Sequence, residues 1–413
     1  MTRVLILTQY YPPETGAPQN RLHSLAKFLQ AKGFEVEVVT AMPNYPGNQI
    51  FEAYKGNFSV RELIDSVKVV RTWIFVGKSR RLRSRLLNYF SFVITSFFKL
   101  LILRKANVII CESPPLFLGI TAVVIRRLRK LYLVFNVSDL WPESAEKLGL
   151  VKNRFFLNVT YRLEAWIYKN AHMISGQTGG IVDSIRARFP EKMVYWMPNG
   201  VDLDFFRSAS YSEDWRGTLN FSIDDFVLGY AGIMGFAQGL EILIKAAALL
   251  RDDDKIKFLF IGDGPEKNKL VKLAQSQGLT NVTFLPNLAK SRVPGIINMC
   301  DACIIPLRKL DLFKGAIPSK IFEPLALKKP ILLGVDGEAR RLFIDEAKAG
   351  LFFEPESALA LTESIVQLRT HREAGHQFGI NGYNYVCDKF DRQVIHDNFL
   401  SHLRLNGILN DQT

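Results

Sequence analysis

The sequence predicts an α/β protein made of two Rossmann-like parallel-sheet domains. Short apolar runs alternate with amphipathic helical segments through both halves of the chain, which specifies parallel sheets buried on both faces. The 413 residues are 48% hydrophobic and 23% charged, which excludes a disordered or low-complexity chain. At about 150 residues per domain, the length calls for two or three domains.

In the first half, residues 3–8 read as a buried strand, 18–32 as a helix and 34–40 as a second strand. Further strands fall at 67–71, 107–111 and 131–137, with helices between them. In the second half, strand 226–231 leads into a helix at 238–251 whose apolar face is Leu240, Leu243, Ile244, Ala247 and Leu250. Strand 256–261, a helix from Pro265, and strands 282–285 and 302–305 continue the pattern. The turn-rich Met197-Pro198-Asn199-Gly200-Val201-Asp202 marks the join. It gives an N-terminal domain over 1–197 and a C-terminal domain over 198–394, with a last helix, about 395–413, packing back on the first domain.

Charge is distributed unevenly. Residues 1–200 hold 28 basic and 13 acidic side chains, whereas 201–413 hold 25 and 27. Such asymmetry gives the first half an anionic partner: a membrane surface, nucleic acid or a phosphorylated substrate. The densest stretch, Lys78-Ser79-Arg80-Arg81-Leu82-Arg83-Ser84-Arg85, precedes 18 residues (86–103) of which 13 are apolar. Asn88, Ser91, Thr95 and Lys99 form one polar stripe on that helix. Basic flanks and a polar stripe suit a helix lying in the plane of an anionic membrane surface better than one crossing it. No zinc-finger spacing or RNA-recognition signature accompanies the basic region, so nucleic acid is excluded as a partner. The start has an apolar run of only four residues, too short for a signal-peptide core. With four cysteines (Cys111, Cys300, Cys303, Cys387), the expectation is a cytoplasmic protein held peripherally at the inner membrane.

In open parallel sheets, ligands lie beyond the carboxyl ends of the strands, so the turns there are the places to look. After the first strand, Gly16 precedes a helix whose amino end can meet an anion. After strand 226–231 comes Gly232-Ile233-Met234-Gly235-Phe236-Ala237-Gln238-Gly239, a plausible phosphate cradle. Its spacing is not that of dinucleotide binders. Gly262-Asp263-Gly264-Pro265 follows another strand, where small residues can line a nucleoside or simply make a tight turn. Pro318-Ser319-Lys320-Ile321-Phe322-Glu323-Pro324 opens a helix. There Lys320 can hold a diphosphate, and Glu323 can accept two vicinal ribose hydroxyls. In the first half, Asp139 follows a buried strand beside Trp141, with Glu143 four residues on: a carboxylate for sugar hydroxyls next to a ring for a sugar face, or alternatively a helix cap.

Other signals carry no chemistry. Asp252-Asp253-Asp254 lies at the wrong sheet edge, Cys300 and Cys303 have no second pair, and the six histidines lack metal-ligand spacing, so no metal is expected. There is no Gly-x-Ser-x-Gly, and no nucleophile–base pair stands out.

Taken together, these residues resemble the retaining GT-B glycosyltransferases of family 4 over nearly the whole chain. The carriers are Pro198-Asn199-Gly200-Val201-Asp202, the Gly232–Gly239 loop, Gly262-Asp263-Gly264-Pro265, and Pro318-Ser319-Lys320 with Glu323. Asp139-Leu140-Trp141-Pro142-Glu143-Ser144 is similar to the bacterial surface-polysaccharide branch that includes L-fucosamine transferases. The resemblance implies two domains facing a central cleft and no cofactor. It implies a UDP-sugar donor held by the second domain and an undecaprenyl-diphosphate-linked saccharide acceptor held by the first. The transferred sugar would be N-acetyl-L-fucosamine or another N-acetylated amino sugar, for O-antigen, capsule or exopolysaccharide.

The implied donor-binding residues are Gly16, Gly235, Gln238, Gly262, Gly264, Pro286, Ser319 and Glu323, with Asp139 and Lys320 as catalytic residues. Glu323 matches the second of the family's paired glutamates; the first falls at Gly315. The family's arginine and lysine after the glycine loop correspond to Ile233 and Gln238, so Lys320 replaces the lost cation. The family's first-domain histidine aligns near Ser138 or Asp139, which makes Asp139 its substitute. These departures keep two alternatives open: a catalytically silent, membrane-associated partner in a polysaccharide assembly, and an NDP-sugar epimerase on the same scaffold.

Overall fold

The computed structural model describes residues 2–45, 47–77, 82–208 and 213–409. It divides into two compact units, Met1–Asn199 with Arg392–Thr413, and Gly200–Asp391. Lys78, Arg80 and Arg81 of the basic run lie outside the described residues.

The first unit is built on eight strands: β1 (Arg3–Leu7), β2 (Glu35–Ala41), β3 (Ser59–Ile64), β4 (Val67–Thr72), β5 (Val108–Ser113), β6 (Tyr132–Val137), β7 (Met173–Gly176) and β8 (Met193–Trp196). Their order is β3-β4-β2-β1-β5-β6-β7-β8, parallel except for the β3–β4 hairpin at the edge. Helices α1 (Ala17–Ala31), α2 (Leu82–Ile102), α3 (Leu118–Arg129), α4 (Glu143–Lys147), α5 (Arg154–Asn170) and α6 (Gly179–Arg188) complete the crossovers. The central strands β1 and β5 are buried at every position, as a sheet covered on both faces requires.

The second unit begins with short helices α7 (Leu203–Arg207) and α8 (Trp215–Thr218). A six-stranded sheet follows: β9 (Phe226–Ala231), β10 (Ile256–Ile261), β11 (Val282–Leu285), β12 (Ala302–Pro306), β13 (Ile331–Gly334) and β14 (Gly350–Phe352). Its order is β11-β10-β9-β12-β13-β14, and every pairing is parallel. The helices are α9 (Glu241–Leu249), α10 (Lys267–Ser276), α11 (Val293–Met299), α12 (Phe322–Ala326), α13 (Glu338–Arg340), α14 (Ala358–Thr370) and α15 (Arg372–Lys389). The chain then returns to the first unit through α16 (Arg392–Leu405), whose Ile395, Phe399, Leu400 and Leu403 join a core with Leu22, Leu25 and Leu29 of α1.

Two helices differ from the sequence expectation. The segment from Gln238 first makes a short 3-10 turn, Phe236–Gln238, and α9 starts only at Glu241. Ser319 and Lys320 belong to another 3-10 turn, Ser319–Ile321, and α12 behind it has only five residues, with Pro324 inside it. A helix that short has little macrodipole to offer an anion, so Lys320 must act through its own charge.

The polar stripe of α2 faces the opposite way from an interfacial helix. Asn88 donates to the carbonyl of Phe75 (2.7 Å), Ser91 accepts from the Phe75 amide (2.8 Å), and Thr95 donates to the carbonyl of Trp73 (2.7 Å). Three of the four stripe residues, all but Lys99, are therefore used in holding the segment after β4. Beyond the exposed Arg83 and Arg85 of its first turn, the helix shows an apolar face to solvent: Leu87, Phe90, Ile94, Phe98 and Ile102, at helical spacing, with Ile102 74% exposed.

Candidate functional site

In the second unit, the candidate residues gather at the carboxyl end of the sheet. Strand β9 runs into Gly232, which has φ +139°. A Cβ on Gly232 would lie 2.3 Å from Cε of Lys320, so the lysine stem fills the space that any other residue would occupy. The ammonium sits 5.5 Å from the ring centroid of buried Tyr230. Tyr230 in turn donates its hydroxyl to the carbonyl of Ile233 (2.6 Å), shaping the loop. Lys320 and Glu323 line one small cavity with Ala231, Ile297, Cys303, Ile305 and Pro324. Burial lowers the ammonium's pKa to about 8, and Glu323 pulls it the other way.

Among the described residues, the Lys320 ammonium has no hydrogen bond or ion pair. The other cations of this edge are committed. Lys267 donates to the carbonyls of Gly262 (2.8 Å) and Leu285 (3.0 Å). Arg308 bonds Glu241, Glu356 and the carbonyl of Phe236. Lys309 pairs with Glu354, and Lys314 with Asp311.

The glycine turns pack backbone to backbone. A Cβ on Gly262 would meet the Gly232 carbonyl oxygen at 2.2 Å, and one on Gly264 would meet that of Met234 at 2.3 Å. The Met234 amide donates to the Asp263 carbonyl (2.8 Å), closing the two loops together. Both glycines are thus explained by close approach at positive φ. Gly235 and Gln238 are engaged with each other, the Gly235 amide donating to Gln238 Oε1 (3.1 Å). Ser319 starts the turn that carries Lys320, and Pro286 is exposed just beyond β11.

In the first unit, Gly16 caps α1, and the Gln19 side chain folds over its Cα; a Cβ there would meet Gln19 Oε1 at 2.4 Å. Asp139 follows β6 and is not a helix cap. It accepts a hydrogen bond from Ser144 (2.9 Å), while Pro142 occupies the cap position of α4. Part of Asp139 meets solvent, yet crowding by protein raises its carboxyl above the ordinary range, against the Ser144 and Leu140 hydrogen bonds; Glu143 adds to the rise.

Sequence reasoning missed two carboxylates here. Glu14 gathers the amides of Tyr11 (3.1 Å), Asn44 (2.8 Å) and Tyr45 (2.9 Å), fastening the loops after β1 and β2. Glu112, at the end of β5, forms a buried ion pair with Arg21 of α1 (2.7 Å) and bonds Ser138 and Asn136. Arg21 also reaches Asn199, where the chain leaves this unit. The lone signal for this pair was a charged residue at the end of an otherwise apolar strand.

Two family models match. One, described as a glycosyl transferase 4-like domain, covers residues 16–200; the other, glycosyl transferases group 1, covers 212–385. The chain belongs to the GT-B glycosyltransferases. This glycosyltransferase is 28% identical to WcaI of Escherichia coli K12 over 376 residues, 88% of this chain and 91% of that one; WcaI's name places it in colanic acid biosynthesis. It is 22% identical to the alpha-monoglucosyldiacylglycerol synthase of Acholeplasma laidlawii over 389 residues, 90% of this chain and 89% of the other. Among solved structures, sucrose-phosphate synthase of Thermosynechococcus elongatus superposes with a TM-score of 0.76 at 17% identity, covering 98% and 99% of the two chains. HepE of Anabaena with UDP and glucose gives 0.72 at 16%, covering 98% and 100%. The last two likenesses show the fold alone.

In the glycosyltransferase, an ammonium kept partly from water, with Glu323 offsetting only part of that burial, should cost stability. With a folded pKa of about 8 against 10.5 for a free lysine, the unfolded chain binds more protons between those values. Stability therefore rises with pH across that window, and the cost is complete below it. Lys320→Met, which keeps the stem, should raise the thermal midpoint at pH 7 and flatten the dependence between pH 8 and 10.5. A lower midpoint with an unchanged pH slope would contradict a buried, unpaired ammonium.

Proposed function

We propose that this glycosyltransferase moves a sugar from a UDP-sugar to a saccharide carried on undecaprenyl diphosphate at the cytoplasmic face of the inner membrane. The product is bacterial O-antigen, capsule or exopolysaccharide, and the sugar is of the N-acetylated amino-sugar class, N-acetyl-L-fucosamine included. The observation that carries this reading is the Lys320 ammonium: unpaired among the described residues, desolvated, and at the carboxyl edge of the second sheet beside Glu323. A desolvated cation awaiting an anion is what a leaving diphosphate needs, because attraction is strongest where water is excluded. The UDP bound by HepE supports a uridine donor, and the name of WcaI supports a polysaccharide product.

Donor binding falls to the domain spanning 198–394 and acceptor binding to 1–197. Glu323 takes the ribose hydroxyls, with Ser319, Pro286 and the loops at Gly235, Gln238, Gly262 and Gly264 around the nucleotide. Gly16, at the amino end of α1, is the donor-binding residue assigned to the first unit. Transfer is retaining and needs no metal. The acceptor oxygen bonds to the anomeric carbon on the face the diphosphate leaves, the carbon–oxygen bond to phosphate breaks, and the departing phosphate oxygen takes the acceptor's proton. Lys320 compensates the charge growing on that oxygen. Asp139, its carboxyl raised by crowding and steadied by Ser144, aligns a hydroxyl.

The apolar face of α2, with Arg83 and Arg85 at its amino end, is the membrane-facing surface. It supports a lipid-borne acceptor without identifying it.

Lys320→Met should lower transfer from UDP-sugar by about a hundredfold or more while the protein remains folded, a loss of the size seen when one preorganised electrostatic partner is removed. Transfer within a few-fold of wild type would remove Lys320 from the mechanism. Replacing Ile94 and Phe98 by Ser, together with Arg83→Ser and Arg85→Ser, should move the protein from the membrane to the soluble fraction. Unchanged partition would exclude this face as the anchor.

A further inference from the structure

The amino edge of the first sheet carries a second cationic site, at the opposite end of β6 from Asp139. An open groove of about 430 Å³ is lined by Arg126, Arg127, Lys130, Leu131, Tyr132 and His172, with no carboxylate among them. It sits where β6 begins, whereas Asp139 follows the other end of that six-residue strand, about 20 Å away at the usual rise per residue.

Helix ends account for some of the neighbouring cations. Lys192 donates to the carbonyls of Lys169 (2.6 Å) and Ala171 (3.3 Å) at the end of α5, and Arg129 to those of Leu101 (2.5 Å) and Leu103 (2.6 Å) at the end of α2. Arg127 bonds the Asn170 side chain (2.6 Å). Arg126 is different. Its guanidinium faces both ring nitrogens of His172, Nε donating to Nδ1 (3.3 Å) and Nη2 lying 3.2 Å from Nε2.

The hydrogens of that contact do not balance. His172 Nδ1 accepts the Leu133 amide proton (2.9 Å), so the ring hydrogen must be on Nε2. Arg126 Nη2 carries only hydrogens as well. Two donors therefore face each other across 3.2 Å, and an oxygen acceptor at the groove would satisfy both at once. Burial, Arg126 and Lys192 lower the His172 pKa to about 4, so the ring stays neutral at pH 7 and still presents its Nε2 hydrogen.

We propose that this groove binds a phosphate group, held between the Arg126 guanidinium and the His172 Nε2 hydrogen with Arg127 and Lys130 at the rim. The chemistry is that of a phosphate mono- or diester oxygen, and two sources can supply it: a soluble phosphate compound or the headgroup of an anionic lipid. The site is independent of the transferase reading, since none of its residues belongs to the proposed donor or acceptor machinery.

The test uses the full chain in two arms. Inorganic phosphate is titrated while the His172 ring nitrogens are followed by NMR, and co-sedimentation is measured with phosphatidylcholine vesicles with and without phosphatidylglycerol. Arg126→Gln is compared with Lys105→Gln, which removes the same charge from an exposed position outside the groove. Arg127→Gln, on the rim, serves if Arg126→Gln does not fold. A saturable shift of His172 Nε2 with phosphate, weakened about fivefold or more by Arg126→Gln and unaffected by Lys105→Gln, supports a soluble source. Binding to phosphatidylglycerol vesicles alone, with the same selective loss, supports the lipid source. Equal behaviour of the two variants in both arms, or an unmoved His172 with no selective loss on vesicles, overturns the site.

Discussion

The candidate site around Lys320 depends on one steric concession: position 232 has no side chain. That absence lets the Lys320 stem lie against the backbone at the end of β9 and leaves its ammonium over the Tyr230 ring with no hydrogen bond or ion pair among the described residues, and with Glu323 as a charge acting from nearby. The loops around it are equally constrained. Gly262 and Gly264 bring the turn after β10 against the backbone of the turn after β9, and Lys267 ties the turns after β10 and β11 by their carbonyls. Among the described residues, Lys267, Arg308, Lys309 and Lys314 have partners of their own, whereas the Lys320 ammonium has no hydrogen bond or ion pair.

The first unit spends its polar groups differently. It holds buried ion pairs: Arg21 with Glu112, and Arg3 with Glu37. Such buried pairs contribute little net stability compared with apolar packing, but breaking one leaves a costly orphan, so they fix which surfaces meet. The Arg21–Glu112 pair fastens α1 to β5 and, through Asn199, to the point where the chain departs. The polar stripe of α2 is consumed in the same way, and its apolar side is left facing outward. A surface helix with its hydrophobic side in water needs a partner that is itself apolar, and a bilayer with anionic headgroups beside Arg83 and Arg85 is the partner proposed for it.

Much of this architecture was legible in the sequence because parallel strands buried on both faces are short, apolar and bounded by turns; β1, β2, β4, β5, β6, β9, β10, β11 and β12 all read that way. The edge strand β3 did not, because its exposed and half-buried positions alternate, and β7, β8, β13 and β14 are only three or four residues long. At the candidate site, Lys320 and Glu323 were legible from the turn that precedes them. The engagement of Gly235 with Gln238 was not, since a glycine-rich loop reads the same whether its amides are open or closed. Nor could periodicity tell which side of α2 faces the protein: a polar stripe is drawn outward by water or inward by backbone carbonyls, and only the path of residues 73–75 decides.

The central claim is that the lone ammonium exists to receive a diphosphate. If so, binding must raise its pKa, because an anion stabilises the charged form that burial disfavours. Calorimetric titration of UDP at pH 8.5, in buffers of different ionisation enthalpy, measures this directly. Diphosphate capture by Lys320 predicts uptake of a substantial fraction of a proton on binding, absent in Lys320→Met. UDP binding with no proton uptake, or with the same uptake in the variant, would contradict it.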